Sequence, residues 1–157
     1  MKHLLLAIIM FAFISVWGQA PNLEVRSHSD YHPRTQQLIL KYHYYYDNWS
    51  EREVMHGRYT EWSPKGVLKQ EARYQNGKLH GLQVLYWPNG EIKSITKFAE
   101  GVISGNREFY FRNGKLKRRE AMVENVPDGL TTVYNRQGEE IRRIDFIAGK
   151  KAPKTDN

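Results

Sequence analysis

After an apolar opening, polar and apolar positions along this 157-residue chain alternate in short stretches instead of recurring at helical spacing. Leu82, Val84 and Tyr86 alternate on one face of an extended segment, and Ile92 and Phe98 keep an even separation. Period two over a few residues is the pattern of a half-buried strand. Between such segments stand Ser63-Pro64-Lys65-Gly66, Trp87-Pro88-Asn89-Gly90, Phe111-Arg112-Asn113-Gly114 and Asn135-Arg136-Gln137-Gly138. Proline sets φ near −65° early in a turn, and glycine accepts the positive φ that closes a hairpin. The chain therefore reads as short strands joined by tight turns.

The turns recur. Gly57, Gly81, Gly105 and Gly129 are spaced 24 residues apart. Five residues after each comes a ring (Trp62, Tyr86, Tyr110, Tyr134), and nine after each a second glycine (Gly66, Gly90, Gly114, Gly138). Seventeen after each comes Tyr74, Phe98, Met122 or Phe146, and twenty after each comes Gly77, Gly101, Asn125 or Gly149. Asparagine is the non-glycine residue that best tolerates the left-handed region, so Asn125 obeys the same backbone rule as the glycines. Each unit is two strands and two turns. The expected fold is all-β, an elongated single antiparallel sheet of stacked β-hairpin repeats with period 24, with units starting at 57, 81, 105 and 129. Leu38, Leu40, Tyr42 and Tyr44 read as the second strand of a degenerate opening unit over 35–56, followed by a longer loop over 47–55. The repeat domain then covers 35–149, residues 19–34 are a flexible lead-in and 150–157 a basic disordered tail. Frayed terminal units are what a repeat array uses as caps.

The segment Gly81…Tyr86-Trp87-Pro88-Asn89-Gly90-Glu91-Ile92, with Tyr74-x-x-Gly77-Lys78-x-x-Gly81, resembles the bacterial variant of the MORN repeat. The resemblance spans about residues 57–149 and more weakly 35–56. It implies MORN-like hairpins stacked into an elongated sheet. Many bacterial proteins with this variant resemble the YwqK-type antitoxin of a toxin–antitoxin pair, a likeness that follows the repeat and not an active residue.

Composition changes the picture in three ways. Met1-Lys2-His3 followed by the apolar run from Leu4 to Trp17 has the form of a secretory signal peptide over residues 1–18, with cleavage after Gly18 preferred to cleavage after Ala20, where Pro21 would follow. The expected location is the periplasm or the extracellular space, which sits poorly with an antitoxin guarding the cytoplasm. The chain has no cysteine, which excludes disulfides, thiolate nucleophiles and a lipoprotein anchor. Mean hydropathy is −0.69, so aromatic residues must supply much of whatever core exists.

No motif asks for catalysis, and the chain is expected not to be an enzyme. His28-Ser29-Asp30-Tyr31-His32 offers three metal-ligand types on one short segment, but ordinary loop polarity accounts for them and no metal or cofactor is assigned. Gly101-Val102-Ile103-Ser104-Gly105 has the serine one place late for a nucleophile elbow, and its glycines belong to the repeat. No phosphate loop or dinucleotide fingerprint occurs.

The ring column Trp62, Tyr86, Tyr110 and Tyr134 is expected to fill the core side of the sheet. Tyr59, Trp87, Phe109 and Phe111 occupy slots that vary between units, which makes them the candidates for a partner-facing surface. The formal charge is +7, and its basic residues gather late: Lys115, Lys117, Arg118 and Arg119 in one strand, Arg142 and Arg143 in the next unit, with Arg107 and Arg112 nearby. Lys117, Arg119 and Arg143 are the candidate cationic contacts, although alternation would send neighbouring basic residues to opposite faces. The expected partner is another protein, with an acidic one favoured by the charge. A membrane surface is the next expectation, while export demotes nucleic acid and nothing suggests a small-molecule substrate.

Overall fold

The computed structural model describes residues 24–153. Among them are twelve strands: β1 Arg26–Tyr31, β2 Leu38–Asp47, β3 Arg52–Trp62, β4 Leu68–Gln75, β5 Lys78–Leu79, β6 Gly81–Tyr86, β7 Ile92–Ala99, β8 Val102–Tyr110, β9 Leu116–Val123, β10 Val126–Tyr134, β11 Glu140–Ile147 and β12 Lys150–Lys151. They form one open antiparallel sheet in sequence order, with β5 a short pairing of β4 just ahead of β6. Every main-path neighbour is the next hairpin, so the fold is built entirely from local connections.

Two turn types alternate. At one edge of the sheet lie the first turns of each unit. There Gly90 N–H donates to the Trp87 carbonyl (2.9 Å) and Trp87 N–H to the Glu91 carbonyl (2.7 Å), and the same pair recurs around Ser63, Phe111 and Asn135. At the other edge two central residues have positive φ: Asn76 and Gly77, Glu100 and Gly101, Glu124 and Asn125, Ala148 and Gly149. Two successive positive φ values define the tight hairpin turn whose twist matches the flanking strands. Gly57, Gly105 and Gly129, expected at turns, lie instead inside β3, β8 and β10. Each sits where three residues of its strand face one residue of the neighbour, beside register shifts at Tyr42/Tyr44, Thr96/Phe98 and Pro127/Thr131. A Cβ on Gly129 would come within 3.2 Å of the Ala121 Cβ, so the bulge needs glycine for space as well as for φ.

Successive units are laced at both edges. Gly101 N–H donates to the Leu79 carbonyl (2.8 Å) and Gly149 N–H to the Pro127 carbonyl (2.8 Å). In the third unit Asn125 Oδ1 instead accepts from Ile103 N–H (2.8 Å). At the first-turn edge Asn89 Nδ2 donates to the Arg112 carbonyl (2.8 Å) and Asn113 Nδ2 to the Arg136 carbonyl (3.2 Å).

Directly opposed residues share a face of a sheet. One face, here the first, therefore carries Tyr59, Ala72, Ser94, Thr96, Phe109, Glu120, Met122 and Thr131. The second carries Arg58, Trp62, Leu68, Glu71, Ile95, Glu108, Arg119, Thr132 and Arg143. Neither is covered by a second layer of the described residues. The only buried apolar side chains among them are Ala72 and Met122. The expectation of a ring column forming a core is thus corrected: Trp62, Tyr86, Tyr110 and Tyr134 are all half-buried. A single layer has no interior, so rings can shield only one another and the strands beneath them.

The ends also differ from expectation. Residues 26–31, read as part of a flexible lead-in, form β1 in register with β2, and the first two tail lysines pair as β12 with Phe146 and Ile147. The long loop foreseen over 47–55 is a four-residue turn, because β3 begins at Arg52. Residues 1–18 and the end of the tail lie outside the described residues.

Candidate binding surface

Four of the late strand arginines are internally matched. Glu120, only 7% exposed, receives Arg107 Nη2 at 2.7 Å and Arg118 Nε at 3.0 Å on the first face. Those two guanidinium groups flank the Phe109 ring, 5.2 and 4.5 Å from its centroid. On the second face Arg119 Nε meets Glu108 at 2.8 Å and Arg143 Nε meets Glu140 at 2.6 Å. Glu108 also accepts from the Tyr110 hydroxyl (2.6 Å), and that bond, ahead of Arg119, holds its carboxyl below the usual carboxylate range. Burial, followed by the bond to Glu108, pushes Tyr110 up to about 12; burial and the 2.8 Å bond to Glu71 do the same for Tyr86.

The first-turn edge is built differently. Trp87 and Phe111 occupy the same slot one unit apart. The Trp87 indole N–H donates to the Tyr110 carbonyl at 3.2 Å, which fixes the ring. Lys93 Nζ lies 5.0 Å and the Arg112 guanidinium 5.1 Å from its centroid. Lys117 Nζ lies 5.7 Å from the Phe111 centroid. Ring faces attract cations through their quadrupole, worth about 0.5–1 kcal/mol at exposed sites. Among the described residues, none of Lys93, Arg112, Lys117 and Arg136 has a carboxylate within 4.0 Å. Lys93, Arg112 and Lys117 are set on rings, and their charge is left open to a ligand.

Two adjoining grooves follow this edge. The larger, about 900 Å³, runs from Pro64 past Val67, Leu85 and Trp87 to Arg112, and its walls are mostly apolar. The second, about 390 Å³, lies between Trp87, Phe111, Lys117 and Arg136. Of the candidate contacts, the fold brings together Trp87, Phe111 and Lys117. Phe109 is enclosed by its arginines, and Tyr59 packs on Tyr74 with centroids 5.8 Å apart. Arg119 and Arg143 stand on the second face, in ion pairs. The late basic residues therefore do not form one patch.

Sequence reasoning passed over Lys93 and Arg136. A signal for them existed: Lys69, Lys93 and Lys117 recur at intervals of 24. Each is the extra residue of a bulge opposite Trp62, Tyr86 or Tyr110, where the register slips by one. That slip lets Lys93 and Lys117 reach the rings that begin each first turn.

His28 and His32 do not converge on a metal site. His28 Nε2 lies 2.9 Å from Asp30 Oδ1, whereas His32 Nδ1 turns to Thr35 at 3.1 Å. No cluster of three metal-ligating side chains occurs among the described residues. Gly101 to Gly105 is a hairpin turn running into β8.

Fold and edge together define an open β-hairpin repeat protein. The family model for the MORN repeat variant matches residues 55–76, 79–100 and 104–121, three consecutive units of the sheet. The chain is thus a repeat protein carrying MORN-variant repeats, and the unit from Gly129 continues the same architecture beyond them. No curated protein matches the chain.

Proposed function

We propose that this is an exported, non-catalytic repeat protein of the cell envelope that binds another protein through its open sheet. The observation that carries the reading is the pair of grooves at the first-turn edge, where cations sit on rings with no carboxylate within 4.0 Å among the described residues. Like charges held side by side repel one another, and an acidic partner relieves that repulsion. The convergent acid, base and nucleophile that catalysis would use are lacking among the residues around these grooves.

Two experiments test the parts separately. Residues 1–18 fused to alkaline phosphatase should give an active enzyme outside the cytoplasm; an inactive fusion would remove export. The exported protein, immobilised and exposed to envelope extract, should retain a discrete protein that a Trp87→Ala, Phe111→Ala variant loses. Equal retention by a folded variant would sink the assignment of this edge. A captured toxin would make the chain an antitoxin of the YwqK kind, and a structural envelope protein would make it a scaffold.

A further inference from the structure

The chemistry of the first-turn edge is specific enough to name the kind of segment it takes. We propose that the groove from Pro64 to Arg136 receives an extended acidic stretch of the partner protein, with an apolar side chain set between its carboxylates. This rests on the protein-partner reading and narrows it.

Three features select such a segment. The first is periodicity. Equivalent cations, Lys93 and Lys117 or Arg112 and Arg136, are one unit apart, which is two strands or about 9–10 Å across the sheet. An extended chain advances ~3.3 Å per residue, so acidic residues three apart meet successive units. The second is the state of the rings. Lys93 and Arg112 already sit over Trp87, and Lys117 over Phe111. The rings act as supports for cations, and the groove reads charge more than it offers flat stacking faces. The third is the apolar cleft itself. About 900 Å³ walled by Val67, Leu85, Trp87 and two prolines is the size of a small-ligand pocket, and it suits an aliphatic or aromatic side chain. An acidic glycan or a polyphosphate has carboxylates or phosphates at a regular interval but no such side chain to place there. The one carboxylate of the cleft, Glu61, is already engaged by Lys69.

The test is selection of random peptides of about ten residues, long enough to cross three units at ~3.3 Å per residue, displayed on phage and panned on the exported protein. Selected sequences should carry Asp or Glu about three residues apart around an apolar residue. Binding of a synthetic winner should weaken as salt rises and fall about tenfold or more in Arg112→Glu, Lys117→Glu. Arg143→Glu, on the opposite face, should leave it unchanged, with circular dichroism showing that each variant is folded. Winners without acidic bias, or undiminished binding to the double variant, would overturn the proposal while leaving the protein-partner reading intact. Failure to select any peptide, together with polygalacturonate binding that the double variant loses, would reassign the groove to a glycan. No peptide selected and no protein captured would remove both readings.

Discussion

Gly90 gives the cleanest measure of what holds this sheet together. It closes the Trp87–Gly90 turn at φ +87°, and a Cβ built there meets nothing within 4 Å. The Cβ of any substitution there is therefore penalised for backbone conformation alone. The left-handed region costs an ordinary L-residue about 1–2 kcal/mol, and a β-branched residue reaches about 2–3 kcal/mol. With Ala72 and Met122 the only buried apolar side chains described, little packing is available to force the turn closed. Gly90→Val should lower Tm by roughly 6–15 °C, taking about 3–5 °C per kcal/mol for a chain of this size. Gly90→Asn should cost less than half as much, because Asn76 and Asn125 already take φ of 50° and 71° in this molecule. Thermal melts followed by far-ultraviolet circular dichroism measure both. Equal melting temperatures for Gly90→Val and the parent, or for the Val and Asn variants, would refute the role of positive φ here.

Ala148 has φ +48° in the last hairpin turn, so Ala148→Gly should stabilise the protein by roughly 0.5–1 kcal/mol; a lower Tm would contradict the strain. Glu120→Gln should destabilise by about 2–3 kcal/mol in urea titration, since it leaves the Arg107 and Arg118 guanidinium groups side by side without the carboxylate that joins them. The more exposed Glu108→Gln should cost less, and the reverse order would argue against burial as the cause. Tyr86 and Tyr110, raised to about 12, favour the protonated form in the folded state, so their stabilisation is complete below about pH 10 and is lost as pH rises towards 12. Absorbance titration should show its latest ionisation, near 12, lost in Tyr86→Phe, Tyr110→Phe; a single transition near 10 would exclude the shift.

Much of the architecture is local and was therefore open to reading in one dimension. A positive φ must be met by the residue that adopts it, so glycines 24 apart mark turns and bulges whatever surrounds them. Alternation within Leu82–Tyr86 names a strand for the same reason. Strand β1 escaped because Arg26–Asp30 is polar throughout; it is a strand by virtue of the hydrogen bonds β2 offers at its edge. The lysine slot at Lys69, Lys93 and Lys117 was visible as a recurrence but had no meaning without the bulge that turns it towards a ring.

The chain order alone establishes the repeat, the hairpin turns and an open meander, because each depends on residues within one or two units of each other. Burial and charge pairing belong to the assembled sheet. Whether Trp62, Tyr86, Tyr110 and Tyr134 form a core depends on a second layer, and no local pattern encodes one. Whether an arginine is spent or available depends on what lies across the strand. Arg119 finds Glu108 eleven residues back, whereas the Arg112 guanidinium, at the turn edge, lies over the Trp87 ring. For Lys93 and Lys117 the bulges decide it, by shifting register beside each first turn and bringing these strand cations to the groove.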